Sequence, residues 1–129
     1  MIKKVLFLNN TTAYPTSSAL LMKEGYGVDM AYDLDACLRQ LATRDYDVII
    51  MQESPRAESW QFCEKIRRLS ATPIIVISTY ASAESCVRAI GAGADFFMRK
   101  PFGPLEFLAR VQSLRPRTLQ QSQPVPVGL

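Results

Sequence analysis

Five short apolar runs recur along the chain, and polar stretches separate them. The runs lie at residues 5–8, 28–31, 48–51, 74–78 and 96–98. Several are continuously apolar, which is typical of parallel strands that are buried on both faces. The pattern predicts five short β-strands.

Apolar residues recur at helical spacing between these runs, and capping residues stand beside them. A proline favours the first turn of a helix, a glycine its end, and an aspartate or serine the N-cap. The fifth helix should turn Leu105, Leu108 and Val111 inward. The boundary residues, in chain order, are Pro15 and Gly25, Asp33, Pro73, Ser82 and Gly91 or Gly93, and Pro104 and Pro116.

Alternating strands and helices imply right-handed crossovers and a parallel sheet covered on both faces. We therefore predict a three-layer, doubly wound α/β fold with a five-stranded, flavodoxin-like (βα)5 sheet. The 129 residues suit one domain, which we place at residues 1–115. Residues 116–129 are rich in Pro and Gln and have no apolar period, so we expect a linker or tail there.

The composition excludes several functional classes. The chain has no histidine, which argues against acid–base hydrolysis. Cys37, Cys63 and Cys86 are isolated in apolar stretches, so we expect three small core residues rather than disulfides or a metal cluster. A net charge of +3 is too small to indicate nucleic-acid binding. No apolar run could span a membrane and no signal peptide begins the chain, so we expect a cytoplasmic protein.

Polar residues follow the apolar runs where the strands of a parallel sheet end. Ligands bind at this edge in open α/β sheets. The residues at these ends are Asn9, Asn10, Gln52, Glu53, Ser78, Thr79 and Lys100.

Several motifs together resemble response-regulator receiver domains over residues 2 to about 115. The segments TPIIVIST and GADFFMRKPF are similar to the fourth and fifth strands of that family, and EGYGVDMAYDLDACLRQLATRDYDVIIM to its segment from the first helix to the third strand. The resemblance implies a CheY-like fold, a switch hydroxyl at Ser78 and a cis peptide bond between Lys100 and Pro101.

The chain departs from the family where the family does its chemistry. Asn9 and Asn10 stand where a receiver has the acidic pair that holds magnesium, and Gln52 stands at the phosphoacceptor aspartate. An amide is not a nucleophile for phosphoryl transfer, and magnesium prefers anionic oxygen ligands. We therefore expect an atypical pseudo-receiver that is not an enzyme and has no metal, cofactor or catalytic residue.

The sequence leaves the contents of this pocket open. We expect the three amides to hydrogen-bond one another, with Ser78 and Lys100 in the same pocket. Glu53 should point away from Gln52, because neighbouring strand residues alternate. Lys100 could be neutralised by desolvation, turn toward solvent or Glu53, or meet an anion.

The resemblance also implies readout positions beyond the pocket. Phe97 matches the aromatic residue of the fifth strand, where tyrosine is usual; either its ring is held inward as part of the switch, or it is ordinary core. The region of the fourth helix, fifth strand and fifth helix is similar to the dimer surface of OmpR/PhoB-type regulators, and the alternative is a set of solvated charges. The matching residues are Arg88, Asp95, Phe96, Glu106 and Arg110, with Arg115 assisting.

These observations predict a phosphorylation-independent receiver in two-component-type signal transduction. Through a homodimer, it would regulate a transcription factor whose DNA-binding output domain lies outside this chain. The first alternative is a stand-alone adaptor that binds a protein partner. The second is a flavodoxin-like carrier of FMN, since hydroxyls line NNTTAYPTS, although that loop lacks the glycine that a phosphate site needs.

Overall fold

The computed structural model describes residues 3–10, 16–53, 59–78 and 83–114. The predicted tail, Pro15, Ser82, Thr79, Arg115 and Pro116 lie outside these residues. Within the described residues, five strands and five helices alternate, as predicted. They are β1 Lys4–Asn10, α1 Thr16–Lys23, β2 Gly27–Ala31, α2 Leu34–Thr43, β3 Val48–Glu53, α3 Ser59–Leu69, β4 Ile74–Ser78, α4 Ala83–Gly91, β5 Phe96–Arg99 and α5 Pro104–Ser113.

The strands form one parallel sheet in the order β2-β1-β3-β4-β5. Side chains alternate between its two faces, so each face has its own apolar cluster. On one face, Phe7 and Ile50 pack with Phe107 of α5 and Leu21 of α1. On the other, strand residues pack with α2, α3 and α4. The three-layer fold is confirmed.

Helix ends follow the predicted caps where the structure describes them. The side chain of Asp33 accepts a hydrogen bond from the backbone N–H of Ala36, which caps α2. Gly25 and Gly93 have positive φ angles of 93° and 119° just past α1 and α4. Of the two glycines proposed for the end of α4, Gly93 therefore holds the left-handed position.

Two core predictions were wrong. Leu105 is 81% exposed. It stands two positions before the buried Phe107, which is about 200° around a helix, so burial of Phe107 turns Leu105 outward. Cys86 is only half-buried, whereas Cys37 and Cys63 are buried as expected.

No helix in the described part of the chain is long and apolar enough to cross a membrane.

Candidate functional site

Two amide side chains lie together at the carboxyl end of the central strands. Asn9 of β1 and Gln52 of β3 are partners in the parallel register, and only 5% and 3% of their surfaces are exposed. Strand alternation places them on the face that α1 and α5 cover. We call this pair and its surroundings the amide site.

The first turn of α1 adds two hydroxyls on the same face of the sheet. Ser17 and Ser18 are almost fully buried, together with Leu21. Ser17 was expected only as a hydroxyl of the segment NNTTAYPTS, and Ser18 was not expected at this site. The available signal was their spacing, because residues three and four positions before a buried leucine share its side of a helix.

The carbonyl oxygen of Gln52 is the unusual atom of the amide site. Its Oε1 is buried and has no hydrogen-bond partner within the described structure. The hydrogen bonds expected among the amides therefore do not include this atom. A buried acceptor without a donor costs about 1–3 kcal/mol.

The amide site does not fit the magnesium ion that receivers of the usual kind hold. Asn9 and Gln52 are neutral, and Mg²⁺ favours carboxylates in octahedral geometry. Among the side chains that the structure describes, no group of three or more His, Cys, Asp or Glu residues could hold a metal. Asn10, the third expected amide, pairs in backbone register with Glu53, and the side chains of both lie outside the described ones.

Ser78 and Lys100 meet at the ends of β4 and β5. The backbone N–H of Lys100 donates to the carbonyl oxygen of Ser78 over 2.9 Å, and Ser78 is 3% exposed. The predicted cis bond between Lys100 and Pro101 is confirmed. Lys100 is half-buried, and no described carboxylate forms an ion pair with it.

Phe97 is the second residue of β5. It pairs in register with Val76 of β4 and packs, half-buried, against the apolar cluster beneath α2, α3 and α4. Its ring therefore contacts the core rather than lying free on the surface.

The predicted dimer region includes exposed apolar side chains. On α4, Val87 is 71% exposed and Ile90 is 44% exposed. On β5, Phe96 is half-buried, and the guanidinium carbon of Arg110 lies 4.2 Å from the centre of its ring. We call Val87, Arg88, Ile90, Phe96, Glu106 and Arg110 the α4–β5–α5 surface.

The charged residues of this region differ in their partners. Arg88 pairs with Glu84 one turn earlier on α4, at 2.8 Å, and both side chains are more than half exposed. Asp95 instead accepts a hydrogen bond from Arg67 of α3 at 2.8 Å, and this pair is mostly buried. The carboxylate of Asp95 is thus engaged within the chain, which the sequence did not indicate.

Comparison with known proteins agrees with the resemblance to receiver domains that the sequence motifs indicated. The family model for the response regulator receiver domain matches residues 10–112. The transcriptional regulatory protein ResD of Bacillus subtilis is 32% identical over 103 residues, which are 79% of this chain and 43% of the relative. The response regulator ArlR of Staphylococcus aureus is 34% identical over 78% of this chain and 47% of its own length. The chain thus spans less than half of either relative.

Solved structures agree with the fold. The receiver domain of NtrC4 from Aquifex aeolicus is 30% identical, with a TM-score of 0.72 over 86% of this chain and 94% of its own. A CheY-like receiver domain protein from Methanospirillum hungatei is 26% identical, with a TM-score of 0.76 over 87% and 92% of the two chains. With its parallel sheet, its cis Lys100–Pro101 bond and these matches, the chain belongs to the response-regulator receiver domain family, the signalling modules of two-component systems.

Proposed function

We propose that this receiver signals without phosphorylation and controls the dimerisation of a DNA-binding transcription regulator. The observation that carries the proposal is the buried amide of Gln52 near the end of β3, with a carbonyl oxygen that accepts no hydrogen bond from any described residue. A carboxylate at this position could attack a phosphoryl donor, whereas an amide cannot form a stable acyl phosphate.

The surroundings of Gln52 support the same conclusion. Phosphoryl transfer depends on positioning and on neutralisation of charge by a metal ion. The neighbouring Asn9 is neutral, and nothing in the described site supplies the anionic oxygens that magnesium would need.

The side chains that match the phosphate-responsive ones of other receivers are buried or half-buried here. Ser78 is buried, and the ring of Phe97 packs against the core. In this proposal the domain rests in one arrangement, and its output depends on protein concentration or a partner.

The α4–β5–α5 surface supports dimerisation as the output. Val87 and Ile90 expose apolar area on α4, and Arg110 of α5 lies over the ring of Phe96 on β5. Exposed apolar patches rimmed by polar groups mark protein contacts. The relatives ResD and ArlR are named as a transcriptional regulatory protein and a response regulator, which suggests a DNA-binding output.

The test is incubation of the protein with acetyl phosphate and Mg²⁺, followed by intact mass and by NMR of the Phe97 ring. We expect no added phosphoryl mass and no shift of the ring resonances that saturates with the reagent. A triple variant with Asn9→Asp, Asn10→Asp and Gln52→Asp is the positive control, because it restores the carboxylates. Magnesium-dependent phosphorylation of the wild type would refute the proposal.

A further inference from the structure

Arg67, near the end of α3, donates hydrogen bonds to described residues in three other parts of the chain. Its Nε donates to the carbonyl oxygen of Gly93 at 3.0 Å. One terminal nitrogen donates to the carbonyl oxygens of Ser70 and Thr72 at 3.2 Å and 2.6 Å. The other donates to Oδ2 of Asp95 at 2.8 Å. We call these five residues the Arg67 cluster.

The Arg67 cluster holds the start of β5. Oδ2 of Asp95 also accepts from the backbone N–H of Ile74 at 2.8 Å, and the N–H of Asp95 donates to the carbonyl oxygen of Ile74 at 2.8 Å. Because β5 is an edge strand of four residues, its own ladder contributes few bonds. The cluster therefore contributes to the register in which the next residue, Phe96, meets Arg110.

The same cluster holds the end of α4. Gly93 closes this helix, since its N–H donates to Ile90 and the N–H of Ala94 donates to Ala89. A Cβ atom at Gly93 would lie 2.5 Å from Cγ of Arg67, so the backbone of this turn packs directly on the arginine side chain. The position of α4, and with it Val87 and Ile90, depends on that contact.

We propose that Arg67 is the positioning residue for the α4–β5–α5 surface, which it sets from the α3 side by holding Gly93 and Asp95 together. The inference rests on the proposed dimerisation. The planar fork of the guanidinium is essential, because a lysine ammonium cannot reach the same set of acceptors. The side chain is 15% exposed, so water does not readily replace it.

The experiment compares Arg67→Lys and Arg67→Met with Arg44→Met. Arg44 also pairs with an aspartate, at 3.1 Å. That aspartate, Asp29, is on β2, at the edge of the sheet opposite to β5. The dimer dissociation constant is measured by sedimentation well below each unfolding midpoint. Both Arg67 variants should weaken the dimer about tenfold, while Arg44→Met leaves it unchanged. Full retention of dimer affinity in both Arg67→Lys and Arg67→Met would overturn the inference.

A second measurement separates this inference from the proposed function. The ring of Phe96 should shift the side-chain NMR signals of Arg110, which lies 4.2 Å from it. If the wild type proves monomeric, the proposed dimer fails, yet loss of this shift in Arg67→Lys but not in Arg44→Met still supports a positioning role. An unchanged Arg110 shift in the Arg67 variants contradicts that role.

Discussion

Tyr46 and Asp29 share a short hydrogen bond at the β2 edge. The hydroxyl oxygen of Tyr46 lies 2.6 Å from Oδ2 of Asp29 and 3.0 Å from Oε1 of Gln40. The hydrogen bond from Tyr46 is the main reason that the pKa of Asp29 lies below 3.8. Burial opposes this shift, and the hydrogen bond and charge of Arg44 add to it. Burial, followed by the bond to Asp29 and its negative charge, raises the pKa of Tyr46 to about 12. Both shifts favour a neutral phenol beside a carboxylate.

These shifts predict how stability depends on pH. Because the pKa of Asp29 is lowered by folding, its carboxylate stabilises the fold above pH 3.8. This stabilisation is lost as the pH falls through the pKa of the folded state. Because the pKa of Tyr46 is raised by folding, its neutral phenol stabilises the fold below pH 10.0. This stabilisation is lost as the pH rises toward the folded pKa of about 12. Tyr46→Phe should lower the free energy of unfolding by about 1 kcal/mol near neutral pH. It should also reduce the loss of stability at acid and at alkaline pH, as measured by urea unfolding across pH.

The control for this prediction is Tyr32→Phe, because the side chain of Tyr32 is exposed. It should keep the wild-type dependence of unfolding free energy on pH. An alkaline loss of the same size in Tyr46→Phe and the wild type would contradict the assignment.

Gly25 and Gly93 end α1 and α4 in the same way. After each glycine, a backbone N–H donates to a carbonyl five residues earlier, Tyr26 to Leu21 and Ala94 to Ala89. Both glycines adopt the left-handed region that favours residues without a Cβ atom. They differ in surroundings, since a Cβ atom at Gly25 would meet nothing within 4 Å.

This difference predicts unequal costs for two matched substitutions. Gly25→Ala should lower the free energy of unfolding by about 1–2 kcal/mol, the cost of a left-handed alanine. Gly93→Ala should cost more, because its Cβ atom would also displace Arg67, whose guanidinium is held by four hydrogen bonds. Urea unfolding of both variants is the measurement. Equal losses would show that the contact with Arg67 contributes little.

The α4–β5–α5 surface concerns the molecule as a whole, because three elements build it. Val87→Glu and Ile90→Glu replace its exposed apolar side chains on α4 with charged ones and should weaken dimerisation about tenfold or more. Met22→Glu is the matched control, since Met22 is 49% exposed on α1. Light scattering over a concentration series checks the prediction. Weakening by Met22→Glu alone would place the interface elsewhere.

The sequence by itself determined the order of the elements and the chemistry at the strand ends. Apolar runs and caps act over a few residues, so the five strands, the Asp33 cap and the glycine ends were predictable. Parallel strands end at one edge, and therefore Asn9 and Gln52 were expected together before any contact was known.

Only the tertiary structure decided which distant side chains meet. Asp95 carries the same charge whether it faces a second copy or Arg67, which lies 28 residues away on another helix. That no described residue donates to the carbonyl oxygen of Gln52 likewise depends on the packing of several elements at once. Local periodicity sets which side of an element is apolar, whereas the relative placement of elements sets hydrogen-bond partners, and that placement arises only when the whole core packs.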